Sequence, residues 1–194
     1  MSVQPSLSKW TPIALMVGVL AGGTVYLSGQ VGPMWAPAGA VWVPFISWAL
    51  YFIAGGKVSR LHKYVLALVG GILYGWITIV IGNWLNGAVG AAYGYAITVF
   101  AVATSIVLLE LTDWFELAPA YFFGYAGYFA YVFGHYPGSV AGQEDSFWIT
   151  IPYIILTLFG LFLGWLTVTL KGIMLDKMGV PMDQRNTVFD KEAA

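Results

Sequence analysis

Few residues of this chain have the chemistry of a catalytic or metal-binding site. The sequence has no cysteine, and its two histidines, His62 and His135, are too far apart to form a metal-binding motif. The motifs of zinc hydrolases (HExxH), serine hydrolases (GxSxG) and nucleotide-binding phosphate loops do not occur. We therefore expect no enzyme activity, no bound metal and no cofactor.

An acidic cluster is the first candidate for a functional feature. Glu110, Asp113 and Glu116 follow one another at intervals of three residues in an otherwise apolar region. Exposed turns are often charged, so this cluster could serve only to pair with nearby basic residues. Alternatively, it forms a cytoplasmic vestibule that attracts cations or relays protons.

Aromatic rings and hydroxyl groups are the remaining candidates. Helical spacing places Phe45, Trp48 and Phe52 on one helix face, and Phe122, Tyr125 and Phe129 on a face of another helix. Such stripes usually serve packing or lipid contact, but a stripe repeated in two helices also suits the ring-lined constriction of a solute path. The other residues expected to line this path are Ser47, Trp76, Thr78, Trp165 and Thr167.

The helices that carry these residues are predicted to cross a membrane. Hydrophobic residues make up 59% of the 194-residue chain, charged residues 9%, and the mean hydropathy is +0.78, as in integral membrane proteins. A span needs about 20 apolar residues. Six segments are predicted to be spans: residues 10–28, 34–54, 64–82, 89–109, 117–133 and 147–170. Residues 31–44 contain three prolines and form either a re-entrant segment or an interfacial loop.

Charge predicts the orientation. All eight Lys and Arg residues fall on one side of the six-span arrangement, so both termini are expected in the cytoplasm. Residues 1–177 would form one membrane domain, and residues 178–194 a polar cytoplasmic tail. The spans contain no Asp, Glu, Lys, Arg or His, which argues against ion-coupled carriers and pumps. A net charge of −1 provides no basic surface for nucleic acid.

An internal repeat divides the chain. GILYGWITIVI at residues 71–81 recurs 89 residues later as GLFLGWLTVTL, and the aromatic pattern of residues 45–52 recurs 77 residues later. Halves of three spans, residues 10–83 and 89–171, would enter the membrane from opposite sides. The expected fold is therefore an all-α membrane protein with a 3+3 inverted repeat, in which helices two and five meet at the axis.

Two stretches carry a family resemblance. VWVPFISWALYFIAGG (residues 41–56) and LAPAYFFGYAGYFAYVFG (residues 117–134) resemble a family of small bacterial and archaeal inner-membrane proteins known as domain-of-unknown-function family 1097. The resemblance covers most of the six spans and implies a multi-pass protein of the cytoplasmic (inner) membrane. In architecture alone, the layout is similar to that of formate–nitrite channels and aquaporins, which implies a homo-oligomer with one path per subunit.

Together these features favour a membrane channel or facilitator for a small uncharged solute. The solute would be a urea-like amide, a protonated weak acid or a dissolved gas, and it would pass between helices two and five. Two alternatives remain: an ion-coupled secondary transporter that uses the acidic cluster, and a non-transporting scaffold subunit. The expected partners are membrane lipid and the solute.

Overall fold

The computed structural model describes residues 7–30, 40–136, 142–181 and 185, and in these residues the fold is all-helical. The helices are α1 (Leu7–Gln30), α2 (Trp42–Ile53), α3 (Leu61–Val89), α4 (Ala91–Leu109), α5 (Ala118–Phe133) and α6 (Thr150–Lys177). Short 3₁₀ turns, Val58–Arg60 and Phe147–Ile149, lead into α3 and α6. The prediction of six helices is confirmed.

The predicted segments each overlap one helix, and the largest difference lies at α2. This helix begins at Trp42 instead of residue 34. Residues 31–39, which hold most of the proline-containing segment, lie outside the described residues. Pro44 and Pro119 both fall in the first turn of a helix, α2 and α5 respectively. A proline is tolerated there because the first N–H groups of a helix have no intrahelical acceptor.

The helices differ in length. Three helical stretches, Leu7–Ser28, Val58–Val89 and Phe147–Lys177, are long and apolar enough to cross a membrane. In contrast, α2 has 12 residues and α5 has 16. At about 1.5 Å per residue, these two helices measure about 18 and 24 Å, less than the roughly 30 Å hydrocarbon core of a bilayer. The apolar helices are compatible with a membrane protein.

Two parallel helix pairs and one antiparallel hairpin build the bundle. Helix α5 packs on α3, α2 packs on α6, and α4 folds back on α3 after a turn at Gly90. In α3 and α5, Gly71 meets Tyr121 and Gly75 meets Tyr128, so residue numbers rise together and the helices run in parallel. Helix α1 contacts α6.

Two buried clusters form most of the core. One joins α2, α3, α4 and α5 around Tyr51, Tyr64, Ile106 and Tyr121. The other joins α3, α5 and α6 around Ile72, Ile79, Tyr128, Tyr131 and Tyr153. A smaller cluster packs Val180 against Ile13 and Leu175. Arg185 also forms an ion pair with Asp176, so packing onto the bundle continues beyond the predicted domain boundary at residue 177.

Most of the charged residues gather at one end of the bundle. Here α2 ends, α3 and α5 begin, and α6 approaches its end, as the contact of Gly56 with Val168 shows. The start of α1 joins them, because Lys171 Nζ lies 5.0 Å from the centre of the Trp10 ring. We call this region the charged end. At the opposite end, Trp76 Nε1 donates a hydrogen bond of 2.7 Å to the carbonyl oxygen of Asp145.

Candidate functional site

Glycines bring the backbones of α3 and α5 into contact along what we call the α3/α5 seam. A Cβ atom at Gly71 would overlap the carbonyl oxygen of Tyr121, and one at Gly75 would lie 2.7 Å from Tyr128 Cδ1. Gly124 on the facing helix lies against the carbonyl oxygen of Leu68. Small residues on both helices therefore permit this close approach.

The α2/α6 seam is built in the same way. A Cβ atom at Gly160 would overlap Ser47 Oγ and the carbonyl oxygen of Pro44, and one at Gly164 would lie 2.6 Å from Tyr51 Cβ. Gly160 and Gly164 follow Gly71 and Gly75 by 89 residues. Their contacts Pro44 and Tyr51 precede Tyr121 and Tyr128 by 77 residues. Both offsets equal those of the sequence repeat.

Several predicted path residues are buried in the seams. Thr78 Oγ1 donates to the carbonyl oxygen of Tyr74 at 2.7 Å and lies 3.1 Å from Tyr125 Oη across the α3/α5 seam. Thr167 Oγ1 donates to the carbonyl oxygen of Leu163 at 2.8 Å, the repeat counterpart of the bond from Thr78 to Tyr74. Ser47 Oγ lies 3.2 Å from the carbonyl oxygen of Pro44. The seams thus combine close backbone packing with buried hydroxyl groups.

Some buried polar atoms have no hydrogen-bond partner among the described residues. On α2 they are Trp48 Nε1 and Tyr51 Oη, on α5 Tyr128 Oη, and on α6 Thr157 Oγ1. Trp42 Nε1 and Asn86 Oδ1 share this property. Tyr51, Tyr128 and Thr157 were not among the site residues predicted from the sequence. Tyr51 and Tyr128 do occupy the same place in the repeat, which is the signal that could have identified them.

The aromatic stripes are arranged differently from the expectation. Phe52 and Phe122 are 44% and 37% exposed and lie on the outside of the bundle. Phe45 stacks on Trp48 with ring centres 5.8 Å apart, and Tyr125 meets Phe129 edge-on at 4.8 Å, so these contacts stay within one helix. Helices α2 and α5 meet over a short stretch only. The reason is that each is held on a glycine-bearing helix, α6 or α3, instead of facing the other.

Trp76 and Trp165, two of the three tryptophans predicted for the path, lie in different parts of the bundle. The Trp76 ring packs edge-on against Phe147 with centres 5.2 Å apart, away from the charged end. Trp165 lines a cavity of about 160 Å³ between α3 and α6. The other lining residues are Leu61, Val65, Leu158, Leu161 and Phe162. This cavity is apolar, so it offers little to orient a polar solute.

Two of the three residues of the acidic cluster, Asp113 and Glu116, form ion pairs at the charged end. Lys63 Nζ lies 2.9 Å from Glu116 Oε1 and 3.2 Å from Asp113 Oδ1, and Arg60 Nη2 lies 3.0 Å from Glu116 Oε1. Among the described residues, no group of three or more His, Cys, Asp or Glu side chains could hold a metal ion.

A separate carboxylate lies in the α5–α6 connection. The backbone N–H of Gly142 donates a hydrogen bond of 2.8 Å to Glu144 Oε1. This bond favours the ionised carboxylate and lowers the pKa of Glu144. Glu144 therefore stays ionised at neutral pH.

Comparison with known proteins identifies the family of this chain. No curated protein and no solved structure matches the chain. Residues 14–170 match the family described as protein of unknown function (DUF1097), which confirms the resemblance noted in the sequence. The match begins in α1 and ends in α6, so it includes all or part of each of the six helices. The chain belongs to this family.

Proposed function

We propose that this protein is a multi-pass membrane protein with a 3+3 inverted repeat, and that it facilitates the passage of a small uncharged solute. The observation that carries the proposal is a pair of short helices in corresponding positions, α2 and α5. Each lies on a glycine-bearing helix of the other half, at the same register of the repeat. In transporters with inverted repeats, short or interrupted helices in matching positions mark the solute site.

The directions of the helices support the inversion. Helix α2 runs parallel to α6, and α5 runs parallel to α3, as six successive crossings of a membrane would require. The basic residues of the α2–α3 connection and of the end of α6 share the charged end. The positive-inside rule then places the charged end, and both termini, in the cytoplasm.

We place the solute path along the α2/α6 and α3/α5 seams. Ser47 lies against Gly160 in the α2/α6 seam, Thr78 and Tyr125 meet in the α3/α5 seam, and Trp48 and Thr167 are buried on α2 and α6. In the structure the seams are closed by tightly packed side chains, so passage requires a shift of the short helices. Small sliding movements of packed helices are a common form of such opening.

The solute is proposed to be uncharged because the interior offers no counter-charge. Residues 64–109, 118–134 and 146–170 contain no Asp, Glu, Lys, Arg or His. An ion in this region would meet only hydroxyl groups, rings and backbone dipoles, and ionised groups within a bilayer are costly without a partner. The carboxylates of Asp113 and Glu116 instead pair with basic side chains at the charged end.

The proposal is tested with purified protein in liposomes. Stopped-flow measurements would compare acetamide, urea, glycerol, water and formic acid at acidic pH against protein-free liposomes. We expect at least one neutral solute to permeate faster with the protein, at a rate unaffected by pH or voltage gradients. Acceleration by a proton gradient would instead support an ion-coupled transporter.

A scaffold role predicts another pattern. Wild-type protein would then accelerate none of these solutes, and Phe122→Ala would change assembly or stability alone. That result would contradict the proposed function.

A further inference from the structure

We propose that Tyr51 and Tyr128 are equivalent solute-binding residues, and that the solute is a neutral molecule with a carbonyl oxygen, such as a primary amide or an undissociated carboxylic acid. This inference deepens the proposed function and rests on it. It names the class of solute and the side chains that recognise it.

The first step is the state of the two hydroxyl groups. Tyr51 and Tyr128 are both fully buried, and neither phenolic oxygen has a hydrogen-bond partner among the described residues. Buried hydroxyl groups normally find a partner, because leaving one unpaired in an apolar surrounding is unfavourable. A phenylalanine would fill nearly the same space without this penalty, and the chain has 12 of them.

The second step is that the feature occurs twice. Tyr51 lies against Gly164 and Tyr128 against Gly75, and the four residues obey the offsets of 77 and 89. One unpaired tyrosine would be an isolated irregularity. Two at matching positions of an inverted repeat indicate a role shared by both halves. Tyr51 belongs to the core cluster that reaches the charged end, and Tyr128 belongs to the other cluster.

The third step concerns the residue one turn earlier. Trp48 precedes Tyr51 by three residues on the same helix face, and its indole Nε1 also has no partner among the described residues. An indole N–H can only donate a hydrogen bond, and a phenol donates readily. Each of these donors suits a carbonyl oxygen, which only accepts hydrogen bonds.

In the second half, the corresponding pair is Tyr125 and Tyr128. There Tyr125 Oη is already held 3.1 Å from Thr78 Oγ1, whereas Tyr128 Oη has no partner among the described residues. Tyr51 and Tyr128 therefore offer one phenolic donor in each half. An amide or an undissociated acid could bind either half without adding charge to the interior.

Conservative variants isolate the hydroxyl groups. Tyr51→Phe and Tyr128→Phe each remove one oxygen and retain the ring. Tyr93→Phe is the matched control, because Tyr93 lies exposed on α4. For Trp48→Phe the control is Trp84→Phe, because Trp84 is exposed on α3.

Thermal unfolding in detergent, with and without acetamide, is the primary measurement. Without solute, Tyr51→Phe and Tyr128→Phe should unfold at a higher temperature than the wild type, because an unpaired buried hydroxyl is gone. Acetamide should raise the unfolding temperature of the wild type and of Tyr93→Phe. The double variant Tyr51→Phe/Tyr128→Phe should lose this response.

Liposome flux gives a second readout. Each single variant should slow acetamide permeation by about five- to tenfold, the effect of losing roughly one hydrogen bond, and the controls should not. If acetamide raises the unfolding temperature of the double variant as much as that of the wild type, the inference is overturned, but the proposed function is not. If acetamide stabilises the wild-type protein but does not permeate faster with it, the proposed function is contradicted and the inferred binding site stands.

Discussion

At the scale of single residues, glycines determine which helices touch. Glycine in a helix interior costs about 1 kcal/mol relative to alanine in soluble hosts, so its presence at a contact usually reflects a need for space. Gly71 and Gly160 meet backbone carbonyl oxygens, and Gly75 and Gly164 meet tyrosine rings. Backbone atoms cannot move aside without moving a whole helix, so Gly71 and Gly160 tolerate substitution least.

Alanine substitution tests this ranking. Gly71→Ala should destabilise the protein by about 3 kcal/mol, the upper range for overpacking a core. Gly87→Ala on the same helix is the control, since a Cβ atom there would meet no described atom within 4 Å. Thermal or denaturant unfolding in detergent measures the difference. Equal stability of the two variants would show that α3 and α5 do not meet at Gly71.

The identity of the packing glycines could be predicted only in part. By sequence, the candidate packing glycines are Gly18, Gly22 and Gly23 in the first span and Gly90 and Gly94 in the fourth. Gly94 does pack against Asn86, but a Cβ atom at any of the three α1 glycines would meet no described atom within 4 Å. A glycine shows that a helix can approach another closely, but it does not identify the partner. Partner choice requires the three-dimensional arrangement.

At the scale of elements, ion pairs join two connections at the charged end. Arg60 and Lys63, before and within the start of α3, hold Glu116, just before α5. Lys63 also reaches Asp113. These contacts lie where α3 and α5 begin side by side and add to the packing of the α3/α5 seam.

Neutralising the acidic partners should have unequal effects. Glu116→Gln should lower the free energy of unfolding by about 1 kcal/mol, because its carboxylate receives hydrogen bonds from two cations and is partly buried. Asp113→Asn should cost about 0.5 kcal/mol or less, because Asp113 is 85% exposed and its pair is screened. Unfolding at low and high salt measures both. A larger loss at Asp113, or a loss at Glu116 that high salt does not reduce, would contradict the observed pairing.

Hydropathy and the positions of proline and glycine predicted the six helices, but not which helices pack against each other. The bounds of α4 and α5 agree with the predicted segments to within two residues, because helix length and apolar content are local properties, whereas α3 and α6 each extend seven residues beyond the predicted end. The pairing of α2 with α6 could not be derived, because every residue of WVPFISWALYFI except Ser47 is apolar or aromatic, and such a sequence does not identify the partner helix. The same limit applies to the aromatic stripes. Phe45, Trp48 and Phe52 share a face, but nothing local distinguishes an inward face from an outward one.

At the scale of the whole molecule, the repeat unites the observations. The offsets of 77 and 89 residues, read from short apolar segments, reappear in the contacts of Gly71, Gly75, Gly160 and Gly164. The solute path and the paired tyrosines both depend on the second half being inverted relative to the first. A repeat without inversion would place equivalent loops on the same side of the membrane.

Cysteine labelling decides between these arrangements, and the chain has no native cysteine to interfere. Ser59 in the α2–α3 connection and Gln143 in the α5–α6 connection occupy equivalent loops of the two halves and are both exposed. Ser59→Cys and Gln143→Cys would be treated separately with a membrane-impermeant maleimide in sealed vesicles of known orientation. An inverted repeat predicts that Ser59→Cys reacts only from the cytoplasmic side and Gln143→Cys only from the opposite side. Reaction of both from the same side would contradict the inverted repeat.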